Sequence, residues 1–245
     1  MKEYKTINLA YNSLLNDIYN TYDYEVNVHE DSNLPNAGVI REKLNYSFKI
    51  TDPEETLIFK SLDSKRDKII NDYLNREMEI FDAGIISSEV MKYHSKIWGE
   101  IKNYDGTINA NYGYMVHHLR DTENGISQFE YALRTLIKDK NSRQAYIHFN
   151  RVKDQVFTNN DHPCTMYGHF IIRDNILYFM SYMRANDIIY GTPYNLGYFN
   201  RLSKQMFIIL KRIYPELKKR MLIHNVGSIH YYVKHTKRLE KMLGL

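Results

Sequence analysis

The chain has 245 residues, 43% of them hydrophobic, which is compatible with one large domain or two small ones and is enough for a sizeable core. The net charge of +4 suits a phosphorylated small substrate, and no concentrated basic tract marks an arm that binds nucleic acid. The single cysteine excludes an intramolecular disulfide framework and fits a reducing compartment. The charged N-terminus lacks an apolar signal core, and no apolar run approaches the roughly 20 residues of a membrane helix. We therefore expect a cytoplasmic protein (in the host cytoplasm if it is viral) with no membrane partner and no obligatory nucleic-acid partner.

The N-terminal third is predicted to contain two helices, a loop and one strand. Residues 4–22 carry apolar side chains on a helical period and indicate an amphipathic helix, whereas residues 24–35 are polar and indicate a loop. Residues 38–50 alternate weakly between apolar and polar side chains and indicate a strand. The segment 51–55, with a proline and three acids, is typical of a helix start, and a helix that includes residues 69–81 should follow.

The rest of the chain shows the same mixture of periods. The predicted elements are a turn at 103–107, a helix at 125–138, a strand at 145–150, a polar loop at 153–161, an apolar helix at 198–214 and short strands at 222–226 and 231–233. The sequence contains no internal repeat and no clear linker between domains. The mixture predicts a single α+β layered domain, residues 1–245, with a large sheet.

One stretch, residues 162–195, collects most of the reactive side chains. It contains the only cysteine, Cys164, followed by two apolar runs that a short polar turn joins, which is typical of a β-hairpin. The second run leads into Arg184 and Asp187, and a Gly-Thr-Pro turn then ends at Asn195. A lone cysteine near cationic groups is a candidate nucleophile, because positive charge stabilises the thiolate. A buried, inert cysteine is the alternative.

These residues resemble the pattern of the thymidylate synthase superfamily, which includes the nucleotide hydroxymethylases, and in detail that of the phage-type deoxynucleotide hydroxymethylases. The resemblance runs from about residue 73 to residue 235. The matching positions are Pro163, Cys164, Arg184, Asp187, Gly191, Pro193, Asn195, His230 and Tyr232. The resemblance implies an α+β, thymidylate-synthase-like layered fold with a large mixed sheet packed by helices. It also implies a homodimer with shared active sites, in which the sheet forms the interface.

The resemblance assigns four residues to the chemistry of the pyrimidine ring. Cys164 would add to C6 as a thiolate, and Asn195 would read the base. Glu77 would organise water and protons around the base O4, and Tyr112 would help to remove the proton from C5. A helix-surface acid is the alternative for Glu77, and a core aromatic is the alternative for Tyr112.

The nucleotide phosphate requires cations, and arginine matches its geometry. By resemblance Arg184 would contact both the phosphate and the thiolate, with a surface ion pair as the alternative. Arg143 resembles the arginine that the family donates across its dimer interface. Arg41 is a further candidate with a poor local match, for which a solvated face is the alternative. Gln144 and Ala185 stand where the family has a second arginine and a phosphate-binding serine, so two phosphate contacts are missing or replaced.

The remaining assignments concern the ribose and the folate. His230 and Tyr232 lie two residues apart on a predicted strand and therefore face the same side. In the family such a pair binds the ribose 3′-hydroxyl. Asp187 would hold the pterin by a hydrogen bond, and Trp98 would line the folate pocket or belong to the core. The implied co-substrate is 5,10-methylenetetrahydrofolate, and no metal is expected.

Smaller features bear on the substrate and the product. Asn195 favours uracil, because the cytosine-specific members carry Asp here, although a flipped amide could pair with cytosine. Thr165, Met183 and Ser228 resemble the hydroxymethylases rather than the synthases. The chain also stops about ten residues past His235, short of the tail that seals a synthase against water, and a missing seal favours hydration. We therefore predict a dUMP hydroxymethylase; the alternatives are a thymidylate synthase, a dCMP hydroxymethylase and a homologue that only binds a nucleotide or an RNA.

Overall fold

The computed structural model describes residues 1–30, 37–122 and 125–245, and the strands in these residues form one mixed, seven-stranded sheet. The strands are β1 (Lys2–Tyr4), β2 (Tyr24–Val28), β3 (Gly38–Ile50), β4 (Tyr146–His148), β5 (Thr165–Arg173), β6 (Ile176–Asp187) and β7 (Lys219–Tyr232). Their order is β1-β3-β7-β6-β5-β4, and β2 also pairs with β3. Because β6 runs parallel to β7 and antiparallel to β5, the last residues of β6 and β7 and the first of β5 meet at one end of the sheet. We call this the site end.

Helices pack against one face of the sheet. They are α1 (Ile7–Asn20), α2 (Ser64–Ala83), α3 (Ser88–Met91), α4 (Ile97–Glu100), α5 (Gln128–Lys138), α6 (Thr192–Ile213) and α7 (Thr236–Leu243), with a π-helical turn at Tyr114–His118 and 3-10 turns at Val152–Asp154 and Val233–His235. α6 lies against β6 and β7, and α1 lies against β3 and β7. Alternate side chains of β6, among them Leu177 and Phe179, are buried in the apolar core between the layers. In the described part of the chain, no helix is long and apolar enough to cross a membrane.

The other face of the sheet carries partly exposed aromatic side chains. Tyr146 on β4 and Tyr167 on β5 are 40% and 38% exposed. Tyr167 is the register partner of Tyr182 on β6, and their stacked rings have centroids 4.3 Å apart. A row of exposed aromatic side chains across neighbouring strands is typical of a protein interface.

Most of the predicted elements are confirmed. β3 has the predicted bounds, and α2 contains the helix predicted at 69–81. α1, α5 and β4 are confirmed with shorter bounds than predicted. The predicted hairpin consists of β5 and β6, and its turn places Asp174 and Asn175 at φ 52° and 60°. Aspartate and asparagine tolerate these left-handed angles better than other residues with a side chain, which explains the polar turn.

The predicted helix start at 51–55 is wrong. One of the acids in this segment, Glu54, caps the start of α1 instead. Residues 51–55 are irregular, and α2 begins only at Ser64. The Glu54 carboxylate accepts hydrogen bonds from the backbone N–H groups of Ile7 at 2.8 Å and Asn8 at 3.0 Å. These N–H groups open α1 and have no partner within that helix, so Glu54 satisfies the start of α1.

The loop predicted at 24–35 is wrong for its first part. Residues 24–28 form β2, which pairs antiparallel with residues 38–42 of β3. Residues 31–36 of the predicted loop lie outside the described residues. Tyr24, Val26 and Val28 alternate with two polar residues, but this period spans only five residues, most of them exposed, so the strand depends on its partner.

Two boundaries near the site also differ from the prediction. The helix predicted at 198–214 begins at Thr192, so Asn195 lies in the first turn of α6 rather than in a turn before it. The helix extends this far because Gly191 can act as its N-cap and the following proline occupies its first turn, where a missing N–H does no harm. The two short strands predicted around His230 are parts of the continuous β7.

Candidate active site

The site end of the sheet places Cys164 beside Arg184. Cys164 is half-buried immediately before β5, and its carbonyl accepts a hydrogen bond from the Arg184 N–H at 2.9 Å. The Arg184 guanidinium donates to the carbonyls of His162 at 2.9 Å and Pro163 at 3.4 Å. Arg184 therefore fixes the segment that leads to the thiol as well as standing next to it.

Opposing effects act on the Cys164 thiol. Burial raises its pKa above the ordinary value, the Arg184 guanidinium lowers the pKa, and the Asp161 carboxylate raises it further. The predicted effect of Arg184 is present, but burial outweighs it. At neutral pH the side chain is therefore a thiol, and groups that bind next to it have to favour loss of its proton.

β7 brings His230 and Tyr232 to the same end of the sheet. His230 is the register partner of Asp187 on β6, and its ring centroid lies 5.5 Å from that of Tyr232. Burial raises the pKa of Tyr232 to about 12, and the charges of Asp187 and Cys164 act in the same direction. These side chains of β6, β7 and the nucleophile segment are therefore close enough to influence one another electrostatically.

Asp187 closes the turn between β6 and α6. Its Oδ1 accepts hydrogen bonds from the N–H groups of Ile189 at 2.7 Å and Tyr190 at 3.0 Å. An aspartate that bonds to the backbone two residues further on stabilises a tight turn. Among the described residues the second carboxylate oxygen has no hydrogen-bond partner, so it is available to a ligand.

Asn195 lies half-buried in the first turn of α6. Its N–H donates to the Gly191 carbonyl at 3.0 Å, and in the described parts of the chain its carboxamide makes no hydrogen bond. Close packing holds this turn near α2, because a Cβ on Gly197 would lie only 2.5 Å from the side chain of Leu74. The next turn of α2 carries Glu77. Burial raises the pKa of Tyr194, the residue before Asn195, and the charge of Glu77 acts in the same direction.

Glu77 is buried and lies beside Tyr73, which is hydrogen-bonded to Trp98, and we call these three side chains the site network. Glu77 is 8% exposed while Glu79 is exposed, so the surface-acid alternative does not hold for Glu77. The Trp98 indole N–H donates to the Tyr73 hydroxyl at 3.0 Å, and Tyr73 is near enough to Glu77 to lower the pKa of that carboxyl. The Tyr73 ring lies 4.5 Å from that of Tyr194 at the start of α6. Burial raises the pKa of Glu77 to about 8 against the effect of Tyr73, so at pH 7 Glu77 is mainly a neutral acid that can donate a proton.

Tyr112 is buried and joined to the residue that follows the nucleophile. Its hydroxyl oxygen accepts hydrogen bonds from the Thr165 Oγ1–H at 2.9 Å and the Thr165 N–H at 3.2 Å. Gly113 lets this segment approach α2, because a Cβ there would lie 2.4 Å from the Cα of Phe81. Tyr112 is thus part of the core, as the alternative predicted, and it also contacts the nucleophile segment.

Sequence reasoning misses Asp161, which lies three residues before Cys164. It is 3% exposed, and burial raises its pKa to about 6. Its Oδ2 accepts from the Ala110 N–H at 2.7 Å, and its carbonyl accepts from the Asn109 side chain at 3.1 Å. Asp161 therefore ties the nucleophile segment to the segment before Tyr112. An isolated acid inside the nucleophile segment is the signal that could have found it.

The structure does not bring Arg143 or Arg41 into these networks. Arg143 is exposed, its carbonyl bonds to His169, and its guanidinium has no hydrogen bond or ion pair among the described residues. Arg41 is ion-paired with Glu25 at 2.7 Å and donates to the Tyr231 hydroxyl at 3.1 Å. Arg41 therefore already has partners of its own, whereas the Arg143 guanidinium is exposed and unpaired among the described residues.

Known proteins resemble this chain over most of its length. Residues 66–244 match the family model of thymidylate synthase. The deoxycytidylate 5-hydroxymethyltransferases of Enterobacteria phages T6 and T4 are each 25% identical, over 189 and 195 residues, which cover 74% of this chain and 72% of each relative. The thymidylate synthase of Bacillus licheniformis is 28% identical over 147 residues, 58% of this chain and 50% of that protein.

The fold agrees with these relatives. The solved structure of a thermostable thymidylate synthase A from Bacillus subtilis matches with a TM-score of 0.68 at 18% identity, covering 98% of this chain and 84% of that one. This confirms the predicted α+β fold with a large mixed sheet packed by helices. Because the family match extends from the first turn of α2 to the end of α7, it includes the elements that carry Glu77, Cys164 and Asn195, and the chain belongs to the thymidylate synthase family.

Proposed function

We propose that this protein is a dUMP hydroxymethylase that converts dUMP, water and 5,10-methylenetetrahydrofolate to 5-hydroxymethyl-dUMP and tetrahydrofolate. Members of its family are folate-dependent methyl- or hydroxymethyltransferases that act on C5 of pyrimidine nucleotides. The observation that carries the proposal of a base-binding site is the Asn195 carboxamide, half-buried and without a partner among the described residues. It follows Tyr194, whose ring contacts the site network through Tyr73.

In the proposed reaction the thiolate of Cys164 adds to C6 of the pyrimidine. C5 is a poor nucleophile until this addition occurs. The sulfur forms a bond to C6, the electrons of the C5–C6 double bond move toward C4 and O4, and C5 becomes enolate-like. Negative charge then develops on O4, where a neutral acid such as Glu77 stabilises it by donating a hydrogen bond directly or through water. The raised pKa of Glu77 supports this role.

The preference for uracil rests on Glu77 as well as on Asn195. Uracil presents an N3–H donor and an O4 acceptor, whereas cytosine presents an N3 acceptor and an amino donor. The Asn195 amide can pair with either base, because no described side chain fixes its orientation. A neutral Glu77 is a donor and suits O4 better than an amino group. The names of the phage relatives make dCMP hydroxymethylation the second candidate.

The rest of the nucleotide is assigned to charged and aromatic groups at the site end. We propose that Arg184 and a second copy's Arg143 hold the phosphate, and that His230 and Tyr232 hold the ribose. Arg184 stands beside the thiol, and the exposed guanidinium of Arg143 has no partner among the described residues. Arg41 is the weaker phosphate candidate, because its ion pair with Glu25 would have to break.

The residues present also fit a folate. Asp187 keeps one carboxylate oxygen without a partner among the described residues, which suits a pterin donor. Trp98 is only half-buried, and the hydrogen bond from its indole N–H to Tyr73 fixes the orientation of its ring. We propose that Asp187 binds the pterin and that Trp98 lines its pocket. The one-carbon unit comes from the folate, and the protein supplies its orientation.

Hydroxymethyl rather than methyl transfer is supported by Thr165, Met183 and Ser228, the positions at which the sequence resembles the hydroxymethylases rather than the synthases. Thr165 donates to Tyr112 and is the register partner of the buried Met183 on β6. The Ser228 hydroxyl bonds to the Glu42 carboxylate. The phage hydroxymethyltransferases also align with more of this chain than the Bacillus synthase does. Thymidylate synthesis is the remaining alternative.

Product analysis tests the proposal. The protein is incubated with 5,10-methylenetetrahydrofolate and either dUMP or dCMP, in water enriched in heavy oxygen, and the nucleotides are analysed by mass spectrometry. We expect labelled 5-hydroxymethyl-dUMP and no rise in the absorbance of dihydrofolate. Thymidylate formed together with dihydrofolate would identify a synthase, and turnover of dCMP in preference to dUMP would identify the second candidate.

We further propose a homodimer of single-domain chains (residues 1–245) that pairs through the aromatic face of the sheet. Tyr146, Tyr167 and Tyr182 would be buried there, and Arg143 would reach the other copy's site. Mixing two inactive variants, Cys164→Ser and Arg143→Ala, should restore part of the activity through hybrid sites. Analytical ultracentrifugation should show a dimer. A monomer, or no complementation, would contradict this arrangement.

A further inference from the structure

The contact between Thr165 and Tyr112 lies directly next to Cys164 and has a fixed direction. The Tyr112 oxygen accepts from the Thr165 Oγ1–H at 2.9 Å and from the Thr165 N–H at 3.2 Å. Thr165 is fully buried and Tyr112 is 6% exposed. Both donors belong to the first residue of β5, where the register with β6 shifts. The two bonds therefore come from one residue whose position the sheet sets.

The two bonds determine what the phenol can still do. A phenol oxygen has two lone pairs and carries one proton. Thr165 occupies both lone pairs. Burial raises the pKa of Tyr112 above its ordinary value, so the hydroxyl keeps its proton at neutral pH. In the part of the chain that the structure describes, no group accepts a hydrogen bond from that proton, and the hydroxyl can only donate.

We infer that Thr165 is a positioning residue that makes Tyr112 a hydrogen-bond donor, and not a proton acceptor, toward an oxygen bound beside Cys164. That oxygen belongs to a water or to a carbonyl of the bound pyrimidine nucleotide. The inference rests on the proposed function, which places such a nucleotide at Cys164. It revises the predicted role of Tyr112, because a phenol with both lone pairs occupied does not itself take the C5 proton.

A second contact keeps Tyr112 in this position. On the other side of Cys164, the Asp161 carboxylate accepts from the Ala110 N–H at 2.7 Å, two residues before Tyr112. The two segments are thus tied together both before and after the nucleophile. Tyr112 cannot move away from Thr165 without breaking a buried hydrogen bond.

A double-mutant cycle tests whether Thr165 acts through Tyr112. Thr165→Val removes the hydroxyl donor and keeps the shape, Thr165→Ser keeps the donor, and Tyr112→Phe removes the phenol. The assay measures tritium release from C5-labelled dUMP and dCMP in the presence of methylenetetrahydrofolate. We expect kcat to fall about tenfold in Thr165→Val with unchanged KM for the nucleotide, and to stay within about twofold of wild type in Thr165→Ser. The Tyr112→Phe/Thr165→Val double variant should match Tyr112→Phe alone.

Additive losses in the double variant would overturn the inference, because Thr165 would then act through the position of Cys164. A second readout needs no turnover: the Cζ resonance of Tyr112 in protein carrying ¹³C-labelled tyrosine, identified by its loss in Tyr112→Phe. It should shift in Thr165→Val and stay in Thr165→Ser, and an unshifted resonance in Thr165→Val would also overturn the inference. Tritium release from dCMP alone contradicts the proposed substrate but leaves the coupling measurable. Release from neither nucleotide contradicts the proposed function. In that case the Cζ resonance of Tyr112 still tests whether Thr165 donates to Tyr112.

Discussion

Two small networks of polar side chains differ in their relation to the candidate site, because only one of them adjoins it. The site network runs from Trp98 through Tyr73 to Glu77. The second, which we call the sheet network, consists of Ser181, Asn186 and His224 on β6 and β7. Its His224 Nδ1 lies 2.7 Å from Ser181 Oγ, and its Nε2 lies 3.0 Å from Asn186 Nδ2. An amide nitrogen can only donate, so Nε2 accepts and His224 is a neutral ring protonated on Nδ1.

Both networks contain a group whose pKa is strongly shifted by burial, so the shift alone does not mark a site. Burial raises the pKa of Glu77 to about 8 and lowers that of His224 to about 3. His224 lies among rings and has both nitrogens bonded. Among the described residues Asn186 Oδ1 lacks a partner, but Gly191 packs so closely that a Cβ there would lie 2.8 Å from this oxygen, which leaves no room for a ligand. The site network instead contacts the first turn of α6, where the Asn195 carboxamide is accessible and unpaired within the described residues. An accessible polar group that can still form hydrogen bonds distinguishes the candidate site from the sheet network.

The largest effect is expected from Cys164→Ser, because the site network has its proposed function only if the thiol reacts. An alcohol is a far weaker nucleophile at neutral pH, so kcat should fall at least about thousandfold. Nucleotide binding should largely persist, since the change removes no charge. Steady-state kinetics and calorimetric titration with dUMP measure the two quantities. Turnover like that of the wild type would show that the covalent mechanism is wrong.

Glu77→Gln sharpens the comparison through both activity and stability. Loss of the acid should lower kcat about hundredfold. The pKa of Glu77 in the folded state, about 8, lies above its unfolded value, so only the unfolded state loses this proton as pH rises. The free energy of unfolding of the wild type therefore falls over this range, by at most about 1.4 kcal/mol per pH unit. Glutamine does not titrate, so the variant should become more stable relative to wild type between about pH 5 and about pH 8. Denaturant unfolding at both pH values measures this, and a constant difference would contradict the burial of a neutral acid.

His224→Gln in the sheet network is the matched contrast. The pKa of His224 is about 3 in the folded state, below its unfolded value, so only the unfolded state gains this proton as pH falls from about 6.5. The wild type should lose stability toward acid, and its advantage over the variant should shrink there. At neutral pH the variant should lose about 1–3 kcal/mol from the broken buried bonds, while kcat stays within about threefold of wild type. A large loss of kcat in well-folded His224→Gln would remove the distinction between the networks.

The elements that sequence periodicity predicts are those whose own residues carry the pattern. α2 exposes one face and buries the other, and β3 buries Ile40, Phe48 and Ile50 at alternate positions near its ends, so their side chains report their structure. The elements that it misses depend on distant partners. β2 is mostly exposed and exists because β3 pairs with it. Glu54 caps α1 across a separation of 46 residues from Asn8, and no local signal says which helix an acid serves.

The candidate site shows the same division. The order of motifs predicts that Cys164, Arg184 and Asn195 belong together, and the pairing of β5 with β6 places the first two side by side. The roles of these residues stay predictions. Sequence reasoning misses Asp161 because an acid in a loop has no period to reveal its burial. It also misses the bond from Thr165 to Tyr112, since 53 residues separate the partners.

A smaller effect, on specificity, is expected from Asn195→Asp at the turn beside the site network. A protonated carboxyl can donate to cytosine N3 and accept from the cytosine amino group, so preference should move from dUMP toward dCMP. Mismatched buried groups cost about 1–3 kcal/mol, which corresponds to roughly a 5- to 150-fold change in the ratio of kcat/KM values. Competition between the two nucleotides measures this ratio. A wild type that already prefers dCMP would show that our interpretation of Asn195 is wrong.

The smallest expected effect is on the pKa of the Cys164 thiol. It distinguishes the influence of the Arg184 guanidinium from that of the Asp161 carboxylate. Cys164 is the only cysteine, so its alkylation by iodoacetamide reports its thiolate fraction directly. Arg184 lowers the pKa of the thiol, so Arg184→Gln should move the midpoint of the rate against pH upward. Asp161 raises that pKa and, with its own pKa near 6, is ionised where the thiol titrates, so the isosteric Asp161→Asn should move the midpoint downward.

Each shift should be roughly half to one pH unit, because both charges act at a partly solvated site. His224→Gln serves as the control, since the sheet network does not contribute to the Cys164 pKa, and its midpoint should equal that of the wild type. Shifts of the same sign in Arg184→Gln and Asp161→Asn would indicate that the segment rearranges in both variants. In that case Arg184 and Asp161 would act mainly by holding the nucleophile segment in place. They would do so through the hydrogen bonds from Arg184 to the His162 and Pro163 carbonyls and from Ala110 to Asp161.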